Sequence, residues 1–187
     1  MKSRIVLVAL GSNVTSQAGG PSETVAAAID ALGDQFGETR VSKFYQTPAF
    51  PAGSGPDFVN AACAFYSDRP ASEILAGLHS IEAAFGRDRQ VRWGSRTLDL
   101  DLIACGDDVR PDHDTFRYWR DMPLSEQQTR APEQLTLPHP RLQERAFVLV
   151  PLADVAPDWV HPVQNRTVSE MLSELGAAEL SEITPLN

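Results

Sequence analysis

Residues 97–102, Thr-Leu-Asp-Leu-Asp-Leu, alternate apolar and acidic side chains after the first position. That period of two belongs to a β-strand with unlike faces: Leu98, Leu100 and Leu102 line one, Asp99 and Asp101 the other. A sheet with a buried leucine face is therefore required, and the two carboxylates stand about 7 Å apart along its strand. Like charges at that spacing repel unless something positive sits between them, and the same spacing lets both converge on one metal ion or a pair.

The residues just before the strand supply more charge. Gly86–Arg96 holds Arg87, Arg89, Arg92 and Arg96 against one acid, Asp88, in a chain of net charge −9 and pI about 4.8. That acidity argues against nucleic-acid or anionic-membrane partners, so a local arginine cluster needs a local reason. Alone, such a run is most simply a solvated basic loop. Beside two carboxylates it fits a polyphosphate carrying Mg²⁺: the ion takes one or two carboxylates plus phosphate oxygens, and guanidinium forks match the remaining oxygens. A glycine near each end suits a mobile lid. Neither a GxGxxG nor a GxxxxGK[ST] loop is present to explain phosphate binding otherwise.

The punctuation of the chain predicts its architecture. Strands are expected at 4–10, closed by Gly-Ser-Asn, at 40–47, at 59–67 and over the aspartate pair. Helices are expected from Pro21 to a stop at Gly33, from about Ser72 to Gly86, from about Glu144 to Ala153, and around Val168, Met171, Leu172 and Leu175 before a loose end. The order β-α-β-β-α-β points to an α+β, ferredoxin-like sandwich: a mainly antiparallel sheet with helices on one face. Residues 1–165 are read as one catalytic domain with a long polar insertion at about 107–134, and 166–187 as its C-terminal helix and tail. No apolar run reaches membrane-spanning length, the first apolar run lacks a cleavage site, and Cys63 and Cys105 read as reduced core residues; a cytoplasmic protein is expected.

Two further constellations stand out. His139 lies between Pro138 and Pro140, with Arg141 and Arg145 following, a set suited to an anion. Tyr45–Ala61 combines Phe50 and Phe58 with the two-sided amide of Asn60, which suits a flat heteroaromatic ring read along its edge, although core packing explains the same aromatics.

Together these stretches resemble the 6-hydroxymethyl-7,8-dihydropterin pyrophosphokinase family of folate biosynthesis. The resemblance runs through Ala9–Asn13, Phe44–Pro48, Asp57–Ala62, Ile81–Arg87, Arg92–Gly106, Leu135–Leu152 and Ala156–Pro162, and weighs most on Trp93-Gly94 followed by Arg96-Thr97-Leu98-Asp99-Leu100-Asp101. It implies an Mg²⁺-dependent diphosphotransferase that moves the β,γ-diphosphate of ATP to the pterin hydroxymethyl oxygen and releases AMP. It implies two magnesium ions held by Asp99 and Asp101, with Arg87 and Arg96 along the phosphate path. ATP contacts fall on Glu82, Arg89, Arg96, His139 and Arg145. Phe58 and Phe147 would sandwich the pterin, Thr47, Pro48, Phe50 and Asn60 would line its edge, and Trp93 would sit on the closing lid. ATP and a reduced pterin are the expected partners of a chain that is a monomer or a weak dimer.

No general base near the acceptor hydroxyl is evident, and positioning with electrostatics can suffice for such a transfer. The connection after Gly106 is longer than the family's hairpin; with Tyr118 and Trp119 it is read as a packed flap, with an extra lid or an interaction surface as alternatives. The lid has Gln90 where a lysine is familiar, and no fused second catalytic domain is expected. A nucleotidyl- or glycosyltransferase would account for the aspartates but not for Phe58, Asn60 and Phe147. A regulatory nucleotide-binding module would not need two carboxylates facing four arginines.

Overall fold

A computed structural model describes residues 2–49, 55–86, 97–127 and 129–186. A six-stranded sheet, antiparallel at every pairing, organises them: β1 (Arg4–Ser12), β2 (Thr39–Val41), β3 (Tyr45–Thr47), β4 (Phe58–Ser67), β5 (Asp99–Cys105) and β6 (Thr184–Pro185). Its order is β5-β1-β4-β3-β6, with β2 also on β4. With β2 and β3 taken as one broken strand, this is the expected βαββαβ topology, and the ferredoxin-like α+β fold stands.

Helices cover both faces of the sheet rather than one. Val6, Val8, Leu10, Ala61, Cys63, Phe65, Leu98, Leu100 and Leu102 pack with α1 (Pro21–Phe36) and α2 (Ala71–Ala84). On the opposite face Leu7, Ala62, Ala64, Ile103 and Ala104 pack with α5 (Ala146–Val155) and α6 (Val168–Ser173). The cause is in β1 and β4, where Ile5–Leu10 and Val59–Phe65 are nearly continuous apolar runs, the mark of strands buried on both sides.

Several boundaries differ from expectation for local reasons. β1 runs on through Gly11 and Ser12, which pair with Asn60 and Val59. α1 passes Gly33 and stops at Gly37, whose φ of +91° is open to glycine; the extra turn stacks Phe36 on Phe65 at 4.8 Å between centroids. The strand expected at 40–47 breaks after Val41, where the Ser42 hydroxyl accepts the Ala62 amide at 2.8 Å and donates to the Lys43 carbonyl. A 3-10 turn (Leu142–Glu144) precedes α5, shifting that helix two residues. The C-terminal helix divides into α6 and α7 (Ala177–Ser181), and the end is not loose: β6 pairs with β3, and the Leu186 amide donates to Phe44.

The insertion holds α3 (His113–Arg120) and α4 (Leu124–Gln127). Paired backbone hydrogen bonds between Arg110 and Leu137 close its base, and Asp112 caps α3 by accepting the Asp114 and Thr115 amides. Its anchor is Phe116, which is 0% exposed and lies 5.5 Å from the His161 ring. Tyr118 and Trp119, the aromatics singled out from sequence, lie edge to face on each other under Arg130, with Tyr118 half exposed. Among the described residues no helix is long and apolar enough to cross a membrane.

Candidate active site

β5 forms one edge of the sheet, and its alternation is as expected: Leu98, Leu100 and Leu102 are buried, while Asp99 and Asp101 are partly open on the α5 face. Asp101 pairs with Ala9 and Asp99 with Gly11; on the far side of β1, Ala9 meets Ala62 and Gly11 meets Asn60, which in turn faces Tyr45. Directly paired residues share a face, so Asp99, Gly11, Asn60 and Tyr45 form one row across four strands. With strands about 4.8 Å apart, Asp99 and Asn60 are roughly 10 Å apart at the backbone. Only small residues lie between the acids and the polar wall. A Cβ added at Gly11 would stand 3.1 Å from Asn60 Oδ1 and 3.8 Å from Phe58 Cδ1, so glycine keeps this trough open.

The far bank is orderly. Asn60 is buried and its Nδ2 donates to Thr47 Oγ1 at 2.7 Å, which fixes the amide's orientation. Thr47 pairs with Phe58, and exposed Pro48 follows directly after the strand. The Gly-Ser-Asn string, expected only to turn the chain, holds both banks. Ser12 Oγ donates to the Thr97 carbonyl at 2.6 Å at the entrance to the aspartate strand, and Asn13 Nδ2 donates to the Pro56 carbonyl at 3.2 Å ahead of Phe58. These residues and Gly11 were missed because their roles depend on cross-strand register, which no local pattern carries.

A β-bulge brings the histidine in. The β1–β5 register slips between Leu7 and Val8, and the carbonyl of the extra residue, Ile103, accepts the His139 amide at 2.8 Å. His139 Nδ1 accepts the Arg141 amide at 3.2 Å, so a neutral ring carries its proton on Nε2. Burial, followed by the charges of Arg145 and Arg141, lowers its pKa to about 3, partly opposed by Asp99. The ring is therefore a neutral donor near neutral pH.

Arg145 stands immediately before α5. Burial lowers its pKa while Asp101, and more weakly Glu144 and Asp99, pull it back up; it stays charged. Its guanidinium carbon lies 5.7 Å from the centre of the Phe147 ring, which is 40% exposed on the first turn of the helix. Glu82 occupies a different setting. It is buried on α2, and its Oε1 accepts the Leu100 amide at 2.8 Å, holding the outer edge of β5. The structure thus brings Asp99, Asp101, His139 and Arg145 together, with Thr47, Phe58 and Asn60 across the trough. Phe50, Arg87, Arg89, Trp93 and Arg96 lie outside the described residues.

Two partly exposed carboxylates beside an arginine and a neutral imidazole donor suit magnesium that arrives with phosphate oxygens. A two-carboxylate face and a cleared glycine floor are compatible with such a group.

Comparison with known proteins places the chain beside one family of enzymes. The model of a family described as 7,8-dihydro-6-hydroxymethylpterin-pyrophosphokinase matches residues 7–157. A 2-amino-4-hydroxy-6-hydroxymethyldihydropteridine pyrophosphokinase from Pseudomonas aeruginosa is 37% identical over 171 residues, 90% of each chain. One of the same name from Synechocystis sp. is 36% identical over 148 residues, 78% of this chain but 64% of the relative, so the match spans just under two thirds of that protein. In fold, a Plasmodium falciparum HPPK-DHPS structure with pteroate is similar at TM-score 0.64 and 13% identity, over 92% of this chain and 42% of that one.

Proposed function

This chain belongs to the 7,8-dihydro-6-hydroxymethylpterin-pyrophosphokinase family, and from that premise we propose that it transfers the β,γ-diphosphate of ATP to the hydroxymethyl oxygen of 6-hydroxymethyl-7,8-dihydropterin, releasing AMP. The observation that carries the reading is the row Asp99–Gly11–Asn60, which sets a charged bank against a hydrogen-bonding one across a cleared floor.

In this reading the pterin lies between Phe58 and Phe147, its edge toward Asn60 and Thr47, with Pro48 and Phe50 at the rim. The Asn60 amide, oriented by Thr47, offers Oδ1 to a ring N–H. Asp99 and Asp101 would hold two magnesium ions with the triphosphate, and the ions would supply positive charge against the charge that develops on the bridging and leaving oxygens. His139 donates from Nε2 to a phosphate oxygen, and Arg145 adds a fixed charge beside Asp101. The family resemblance would add Arg87, Arg89 and Arg96 as phosphate contacts and Trp93 as a pterin contact. Glu82 reaches ATP indirectly by holding the backbone of the aspartate strand. The chain's contribution is to orient two substrates and to place charge, with no side chain assigned as general base. A cytoplasmic, folate-pathway role as a monomer or weak dimer follows from the same reading.

The test is to incubate the purified protein with ATP, Mg²⁺ and the hydroxymethyldihydropterin and resolve the nucleotides. AMP released only when all three are present supports the proposal. ADP or free pyrophosphate would point instead to another magnesium transferase, and ATP binding without turnover to a regulatory module.

A further inference from the structure

The last turn of α5 is tied to the segment that leads into the pterin wall. Asp154 Oδ2 accepts the Tyr45 hydroxyl at 2.8 Å and the Lys43 amide at 3.0 Å. One residue on, the Val155 carbonyl accepts Arg40 Nη1 at 2.8 Å. Three donors spread over residues 40–45 thus grip one helix end. Tyr45 is buried and belongs to the row that includes Asn60; two positions further along β3 is Thr47, the partner of the Asn60 amide.

Helix geometry carries this grip to the other wall. Phe147 and Asp154 are seven residues apart, close to two full turns, so they project from the same side of α5 about 10 Å apart along its axis. Any rotation or slide of the helix that moves Asp154 moves the Phe147 ring with it. The apolar side of the helix, Val148, Leu149, Leu152 and Val155, rests on the sheet and is non-directional, whereas the Asp154 contacts are directional.

We propose that Asp154 is a positioning residue for the pterin site: by accepting Tyr45 and Lys43 it sets the rotation of α5, and hence the gap between Phe147 and the wall formed by Phe58, Asn60 and Thr47. The inference rests on the assignment of the pterin to that gap. Asp154 touches neither substrate; Asp99, Asp101 and His139 lie on or beside β5 and do not move with α5, so ATP affinity changes less than pterin affinity even though Arg145 adjoins the first turn of the helix.

The experiment measures pterin and ATP affinity separately in the full chain for Asp154→Ala, Asp154→Asn, Tyr45→Phe and Phe147→Ala. Loss of the contacts in Asp154→Ala should weaken pterin binding about three- to tenfold, with a smaller loss in Tyr45→Phe, while ATP affinity stays within about twofold. Asp154→Asn, whose amide oxygen accepts the same two donors, should recover most of the loss. The inference is overturned if Asp154→Ala and Tyr45→Phe bind pterin normally while Phe147→Ala does not, or if pterin and ATP affinities fall together. Normal pterin binding by Phe147→Ala overturns the pocket assignment itself, and the inference with it.

Discussion

Acidification from about pH 7 to about pH 5 should weaken the fold by roughly 2 kcal/mol through His161 alone. The ring is 0% exposed, 5.5 Å from the Phe116 ring and 5.7 Å from that of Trp159. Its Nδ1 accepts the Val163 and Gln164 amides at 3.1 and 3.2 Å, and Nε2 is buried without a hydrogen-bond partner among the described residues. A second proton would break both amide contacts and leave a buried cation. Burial, aided by the nearby Arg120 charge, accordingly lowers the pKa from 6.5 to about 4. Between those values the unfolded chain binds a proton that the folded one refuses. The stability is therefore full above pH 6.5 and declines as pH falls toward 4. At about 1.4 kcal/mol per pKa unit the complete loss is about 3 kcal/mol, of which about 2 falls above pH 5.

His139, also depressed, acts in the same direction, so the informative quantity is a difference between proteins. Urea unfolding of the wild type and of His161→Asn, whose amide oxygen can take the two backbone donors, is measured at both pH values. The variant should lose about 2 kcal/mol less than the wild type on acidification. Equal losses would refute the assignment of acid sensitivity to this ring, and with it the expectation that acid first loosens the seat of the insertion on Phe116.

Asp99→Asn or Asp101→Asn should lower turnover by roughly a thousandfold while leaving the melting transition in place, since each removes a charge from the carboxylate pair; near-normal AMP release from either variant would remove that pair from the chemistry. Gly11→Ala places a methyl 3.1 Å from Asn60 Oδ1 and should weaken pterin binding about tenfold with little effect on ATP, as isothermal titration with each ligand would read. Glu82→Ala orphans the buried Leu100 amide and should cost about 2 kcal/mol of stability, whereas Glu82→Gln keeps an acceptor and should cost less. Equal unfolding midpoints for those two variants would contradict a backbone-holding role.

The aspartate strand was legible because its signal is local: alternation alone separates buried Leu98, Leu100 and Leu102 from partly exposed Asp99 and Asp101. The strand and helix order was legible for the same reason, and with it the fold class. What escaped depends on partners distant in sequence. Glu82 entered as an ATP contact through the resemblance, but its hold on the amide of Leu100, eighteen residues later, leaves no local signal. Gly11 looks like a turn until Asp99 and Asn60 arrive on its two sides. The second helical layer was signalled by the continuous apolar run Ile5–Leu10, which a one-faced sheet would have broken by alternation, but the βαββαβ order did not convey it, because the helices that form the layer, α5 and α6, follow the last strand of that core. In the insertion, Tyr118 and Trp119 drew notice by size, yet Phe116 became the anchor because the Asp112 cap sets which side of α3 meets His161. The Asp154–Tyr45 contact spans 109 residues and leaves no trace in either local pattern.

The central claim is that two phosphoryl groups leave ATP as one unit for the pterin oxygen. It is tested most directly by supplying ATP labelled at the β-phosphorus and following the label in a single turnover with Mg²⁺ and 6-hydroxymethyl-7,8-dihydropterin. The account predicts that the β label travels with the pterin and that the AMP is unlabelled. Label retained in ADP, with a pterin monophosphate as product, would contradict it.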